Sequence, residues 1–106
     1  KIERGCIICS GVKITTETNI GSFSIINLNS VIGHDVKIGN FCSIMPSVNV
    51  AGKVKICDKT FIGAGATILQ GVEIGENAVI GAGALVRENV PAGATVVGVP
   101  ARQISK

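Results

Sequence analysis

The sequence has no tryptophan and no tyrosine, and its three phenylalanines make up 3% of the chain. Large rings fill wide cores, so their scarcity points to a thin one. Charged residues account for only 16%, and the net charge of +3 is scattered rather than gathered into a basic run. With no aromatics interleaved among the lysines and arginines, the stripe that favours nucleic-acid binding is missing. No apolar run reaches eighteen residues and no signal-peptide pattern opens the chain, so a soluble cytoplasmic protein is expected rather than a membrane or secreted one. At 106 residues the chain is short for two domains.

What is there is a period. Every sixth residue from Ile2 through Ile8, Ile14, Ile20 and onward to Ile80 and Val86 is isoleucine or valine, without a slip. Two residues before each aliphatic, nothing larger than valine occurs, as at Cys6, Ser24, Val36, Ala66 and Ala84. A fixed internal repeat decides the architecture before local propensity does. The physical reading is a hexapeptide solenoid: a short strand carries the aliphatic inward, a small residue is tucked beside it, and a tight corner follows. Three hexads close one triangular coil, and coils stack about 4.8 Å apart as parallel strands. Roughly five coils are expected, each inward Ile or Val contributing about 1.5–3 kcal/mol by burial. The glycines just after the aliphatic, such as Gly21, Gly33, Gly39 and Gly63, are expected to supply positive φ at the corners.

Cys6-Ile7-Ile8-Cys9 is a C-x-x-C, yet the repeat keeps the four cysteines apart. Cys6 and Cys42 fall in one column two coils apart, about 10 Å by strand spacing, and Cys9 and Cys57 fall in others. No metal site is expected. After Val86, the stretch Arg87-Glu88-Asn89-Val90-Pro91-Ala92-Gly93 leaves the six-residue spacing. This divides the chain into a β-helix over 1–90 and a C-terminal cap over 91–106. The chain starts in register at Ile2 with no polar capping coil, so an upstream segment is expected.

Together, Ile26-Asn27-Leu28-Asn29-Ser30-Val31-Ile32-Gly33-His34-Asp35, Ile38-Gly39-Asn40-Phe41, Val50-Ala51-Gly52-Lys53-Val54, Phe61-Ile62-Gly63-Ala64-Gly65-Ala66, Ile80-Gly81-Ala82-Gly83-Ala84 and the ending Gly98-Val99-Pro100-Ala101-Arg102 resemble the left-handed β-helix acyltransferases with hexapeptide repeats. The likeness covers essentially the whole chain. The Gly-His-Asp element and the Gly-x-Pro-Ala-Arg ending are similar to the branch that acetylates sugars, the sialic acid O-acetyltransferases and the nucleotide-amino-sugar N-acetyltransferases. The left hand of the coil is implied by this resemblance alone, since parallel crossovers are otherwise right-handed. The resemblance also implies an N-terminal domain upstream that holds much of the sugar nucleotide. No G-x-G-x-x-G with flanking strand and helix is present in the chain itself.

His34 is the only histidine. It lies two residues after Ile32, at a corner where side chains face out. Acyl transfer from a thioester needs the acceptor's proton removed, and imidazole, with an ordinary pKa of about 6.5, suits that task. The resemblance implies that His34 is the general base and that Asp35 raises its basicity. Eighteen residues after His34 comes Gly52, one coil above, and the resemblance makes its N–H an oxyanion donor. Pro46, Ala64 and Ala82 also recur at eighteen, leaving an edge of small residues wide enough for a pantetheine arm. The resemblance places acyl-CoA against Ala64 and Ala82, with Ser43 near the thioester, Arg102 toward the CoA phosphates and Asn27 toward the sugar. Acetyl-CoA is thus the expected acyl donor, and a sugar or sugar nucleotide the acceptor.

Three rival readings are weighed against this one. The γ-class carbonic anhydrases share the scaffold but need three histidines, and one per chain cannot supply them. A serine acetyltransferase fits the fold, although its usual second histidine is absent. A non-catalytic oligomerisation module would not need the ordered His34, Gly52, Ala64 and Ala82 columns. Outward apolar residues such as Ile7, Ile25, Val31 and Phe61 predict a homotrimer with sites at the subunit boundaries.

Overall fold

In the computed structural model, which describes residues 1–105, each hexad contributes a two-residue strand and a corner, and no helix occurs among the described residues. The strands stack into three sheets along the faces of a prism of 33 × 20 × 20 Å. The first face holds Ile7–Ile8, Ile25–Ile26, Ser43–Ile44, Phe61–Ile62, Val79–Ile80 and Thr95–Val97. The second holds Lys13–Ile14, Val31–Ile32, Asn49–Val50, Thr67–Ile68 and Leu85–Val86, and the third Asn19–Ile20, Lys37–Ile38, Lys55–Ile56 and Glu73–Ile74. Pairing within these faces is parallel, with partners eighteen residues apart up to Val86, as in Ile26 with Ile44 and Ile44 with Ile62. The fold class is the expected one, an all-β parallel β-helix of hexapeptide repeats in about five coils.

The aliphatic column fills the interior. Ile26, Ile44, Ile62 and Ile80 on the first face meet Ile32, Ile68, Ile56 and Ile74 from the other two, all fully buried. The small column explains itself where it is polar. Ser24 Oγ donates to the Gly39 carbonyl at 2.8 Å, Ser30 Oγ to Met45 at 2.9 Å and Thr60 Oγ1 to Gly75 at 3.2 Å. A longer side chain could not bridge one coil to the next so closely, and among the described residues no buried side-chain polar atom lacks a partner. Only the first coil departs from the burial pattern. Ile2 and Ile8 are 49% and 37% exposed, because a coil lies on one side of them only.

Two expectations need correction. The glycines directly after the aliphatic do not carry positive φ. The left-handed residue comes two positions later and recurs every six: Glu17, Phe23, Asn29, Asp35, Phe41, Ser47, Lys53, Lys59 and Asn77, with Gly65, Gly71 and Gly83 continuing the series. Gly33 and Gly63 are glycine for a different reason. A Cβ there would stand 2.8 Å from the Gly52 nitrogen and 2.6 Å from the Ala82 nitrogen in the coil above. The second correction concerns the end of the repeat. Val90 bridges Ile74 and Val96 pairs with Ile80, sixteen residues back instead of eighteen. One corner is two residues short, and the spacing of six then resumes. A cap beginning at residue 91 would therefore cut through the last coil, whose first-face strand is Thr95–Val97. Closure comes later, where Arg102–Ser105 folds back antiparallel on that strand.

Candidate functional site

A prism of this kind has three corners per coil, and they differ in what becomes of the backbone N–H two residues after the aliphatic. At the corner between the third and first faces the lower amides, those of Ser22 and Asn40, are occupied, whereas those of Asp58 and Glu76 above them meet no acceptor among the described residues. Asn40 Oδ1 accepts from Ser22 N–H at 2.8 Å and Asp58 Oδ1 from Asn40 N–H at 2.8 Å. Outside them the rings of Phe23 and Phe41 stack with centroids 5.6 Å apart. Reading the sequence missed this ladder and the ring pair, although Asn40 and Asp58, like Phe23 and Phe41, are spaced by eighteen.

The corner between the first and second faces is open in its upper half. At its lower end Leu28 N–H is taken by Asn27 Oδ1 at 2.8 Å, and Pro46 has no N–H to offer. Above them, Ala64 and Ala82 are exposed, and no acceptor among the described residues reaches either amide. The next residues, Gly65 and Gly83, take φ of +72° and +70°, and nothing stands within 4 Å of the Cβ each lacks. Glycine here answers the corner's left-handed backbone and leaves the groove unobstructed. The expected column of small residues is thus a bare edge carrying outward amides. Ser43 sits half-buried on the first face beside Phe61 in register. Asn27, with its Oδ1 turned to Leu28 N–H, keeps its NH₂ free for a ligand. Arg102 is exposed on the closing strand, and with Arg87 it borders a cavity of about 230 Å³ at the end of the prism.

The third kind of corner, between the second and third faces, carries His34. Asp35 follows in the left-handed region at φ 56°, a conformation that Asp and Asn tolerate better than most residues. Its carboxylate turns back to His34 Nδ1 at 2.9 Å, and both side chains are 52% exposed. A carboxylate only accepts, so Nδ1 carries the hydrogen and the lone pair falls on Nε2. That nitrogen lies over Gly52. A Cβ on Gly52 would be 2.5 Å from Nε2, 2.8 Å from Cε1 and 2.9 Å from Cδ2. Gly52 is accordingly buried, whereas Thr16, His34 and Gln70 in the same column are exposed. Its carbonyl accepts from Gly71 N–H at 3.0 Å, and its own N–H has no acceptor among the described residues. The structure therefore brings His34, Asp35 and Gly52 together, and it holds Ala64 and Ala82 together on another corner.

The four cysteines are free thiols. Cys42 is buried, and loss of hydration pushes its thiol up from the ordinary range. It donates to the Cys57 carbonyl at 3.1 Å, so it is spent as a coil-to-coil bridge like Ser24. Among the described residues no three metal-ligating side chains gather at one point.

Residues 53–88 match the family model described as bacterial transferase hexapeptide (six repeats). The chain superposes with a TM-score of 0.89 on a mutant perosamine N-acetyltransferase from Caulobacter crescentus in complex with CoA and GDP-perosamine. The two are 30% identical over 99% of this chain and 53% of that one. Serine acetyltransferase from Neisseria gonorrhoeae is similar at 36% identity and TM-score 0.84, over 91% of this chain and 41% of that one. The acetyltransferase domain of PglB from Neisseria gonorrhoeae, in complex with acetyl coenzyme A, is similar at 27% identity and TM-score 0.77, over 97% and 53%. The chain thus spans about half the length, or less, of these three structures. No curated protein matches the sequence.

Proposed function

We propose that the chain is the β-helical part of an acetyl-CoA-dependent acetyltransferase acting on a sugar or sugar nucleotide. The observation that carries this reading is the free Nε2 of His34, fixed by Asp35 on one side and lying over Gly52 on the other. In the proposed reaction Nε2 takes the proton of the acceptor's amine or hydroxyl as that group attacks the thioester carbonyl. The developing oxyanion is met by the Gly52 N–H, the bond to sulfur breaks, and the imidazolium returns its proton to the CoA thiolate. Asp35 favours the imidazolium. No cysteine serves as nucleophile in this scheme, so transfer is direct within a ternary complex.

Acyl-CoA is assigned to the bare corner, its pantetheine amides and carbonyls facing Ala64 and Ala82, its thioester toward Ser43 and its phosphates toward Arg102. Asn27 is assigned to the sugar through its free NH₂. The bare corner and the His34 corner bound opposite sides of the second face, separated by about 15–20 Å of extended chain. This supports a site completed by a second copy, with His34 from one subunit and the CoA edge from its neighbour. A homotrimer with three such sites is the assembly we propose. Sedimentation at micromolar concentration should give three copies, and a monomer would count against it. The remaining contacts to the acceptor are assigned to an additional domain upstream, and the setting to the cytoplasm.

Serine is the second acceptor considered, because of the likeness to serine acetyltransferase. Thiol release from acetyl-CoA, measured in parallel with GDP-perosamine, sialic acid and L-serine, separates the readings. A rate confined to the sugars supports the proposal, a rate confined to serine replaces it, and no release with any acceptor or acetyl-CoA concentration by the chain joined to its upstream domain removes the enzymatic reading.

A further inference from the structure

Gly52 has no backbone reason to be glycine. Its φ lies outside the left-handed region that Gly65, Gly71 and Gly83 occupy. Its column tolerates side chains, since Thr16 and Gln70 stand at the same corner two coils below and one coil above it. Its missing Cβ does not make room for the neighbouring coil's backbone, as it does at Gly33 and Gly63. The three nearest atoms a Cβ would meet all belong to the His34 ring, at 2.5, 2.8 and 2.9 Å, closer than real Cβ contacts allow.

We propose that Gly52 is a positioning residue for His34: the surface left by its absent side chain is the floor on which the imidazole rests. This rests on the reading of His34 as the base, and it assigns Gly52 a role separate from its N–H. The Asp35 carboxylate fixes the ring's Nδ1 end and the floor fixes its tilt, so that Nε2 is held by two contacts instead of one. The charged groups flanking this pair are Glu17 and Lys53, which stand one coil below and one coil above Asp35 in the same left-handed column. Neither ring contact comes from them. A half-exposed ring held only at Nδ1 would pivot about that bond, and misplacement of a catalytic group by about 1 Å can lower a rate on the order of 10²-fold.

Gly52→Ala tests this, because alanine adds the methyl and keeps the N–H. The backbone accepts alanine and the exposed ring can swing aside, so the melting temperature and oligomeric state should be unchanged. With one histidine in the chain, its NMR signals are unambiguous. The Overhauser contact between the ring protons and the backbone N–H proton of residue 52, which alanine keeps, should be lost in the variant. In turnover with the acceptor that supports it, kcat should fall about 10- to 100-fold while KM for acetyl-CoA stays within about twofold. His34→Ala/Gly52→Ala should be no slower than His34→Ala alone. A ring that keeps its contact in Gly52→Ala, a displaced ring with unchanged kcat, or an additive loss in the double variant would each overturn the proposal. If no acceptor supports turnover, that failure belongs to the functional reading, and the Overhauser contact alone decides whether Gly52 is the floor.

Discussion

At the corner between the third and first faces, Asn40 and Asp58 reach down one coil and occupy the outward amides of Ser22 and Asn40. At the corner between the first and second faces, the matching amides of Ala64 and Ala82 face solvent with methyl side chains beside them. Both corners turn on a left-handed residue three positions after an aliphatic, and both stack at the same spacing. One backbone therefore yields a covered amide or a free one, depending on whether the side chain one coil above reaches down to accept from it, as Asn40 and Asp58 do and Ala82 does not. His34 gives a third outcome, because its ring lies on the coil above while its other nitrogen is held by Asp35.

The sharpest way to break the comparison is at the reactive corner. His34→Ala should lower kcat by about 10² to 10⁴ with acetyl-CoA binding largely kept. Steady-state kinetics beside equilibrium dialysis checks both, and near-normal turnover would remove His34 as the base. Next comes the bare edge. Ala82→Trp should weaken acetyl-CoA binding by at least about tenfold, roughly the 1.4 kcal/mol that such a factor represents, while the fold stays intact because the position faces out. Unchanged affinity in a folded Ala82→Trp protein would move the cofactor elsewhere.

Smaller effects sharpen the distinction. Asp35→Asn keeps a residue suited to φ 56° and a carbonyl for Nδ1–H, but drops the charge that favours the imidazolium. A loss in kcat of about tenfold is expected, the equivalent of 1.36 kcal/mol, with no change in melting temperature. Equal rates would leave Asp35 a purely geometric role. At the covered amides, Asp58→Ala frees the Asn40 amide and should cost about 0.5–1.5 kcal/mol of stability in urea titration, with turnover and acetyl-CoA affinity unchanged. A catalytic defect there would mean that this corner takes part in the reaction.

Much of this is legible in the sequence. The aliphatic and small columns, the three faces and the stacking of Gly52 on His34 all follow from counting by six and eighteen. Counting could not find the left-handed position, because Glu17, Phe23, Ser47 and Lys53 occupy it and such residues ordinarily avoid that conformation. Nor could it find the short corner between Val86 and Val90, where two missing residues imitate the end of the repeat. The amide ladder was hidden for another reason. Nothing in the sequence marks Asn40 and Asp58 as acceptors, and only geometry shows that their oxygens lie over amides eighteen residues back.

The uniform backbone at all three corners makes position along the chain an address that repeats every eighteen residues. Inserting one hexad between Ala64 and Ala82 would leave every coil buildable, yet rotate the upper part by a third of a turn and carry Ala82 into the column of His34 and Gly52. Removing one hexad would carry it instead above Asn40 and Asp58. Among changes made in whole hexads, only whole coils of eighteen can be added or lost while each edge keeps its identity, so drift in repeat number is filtered by phase long before it is filtered by stability.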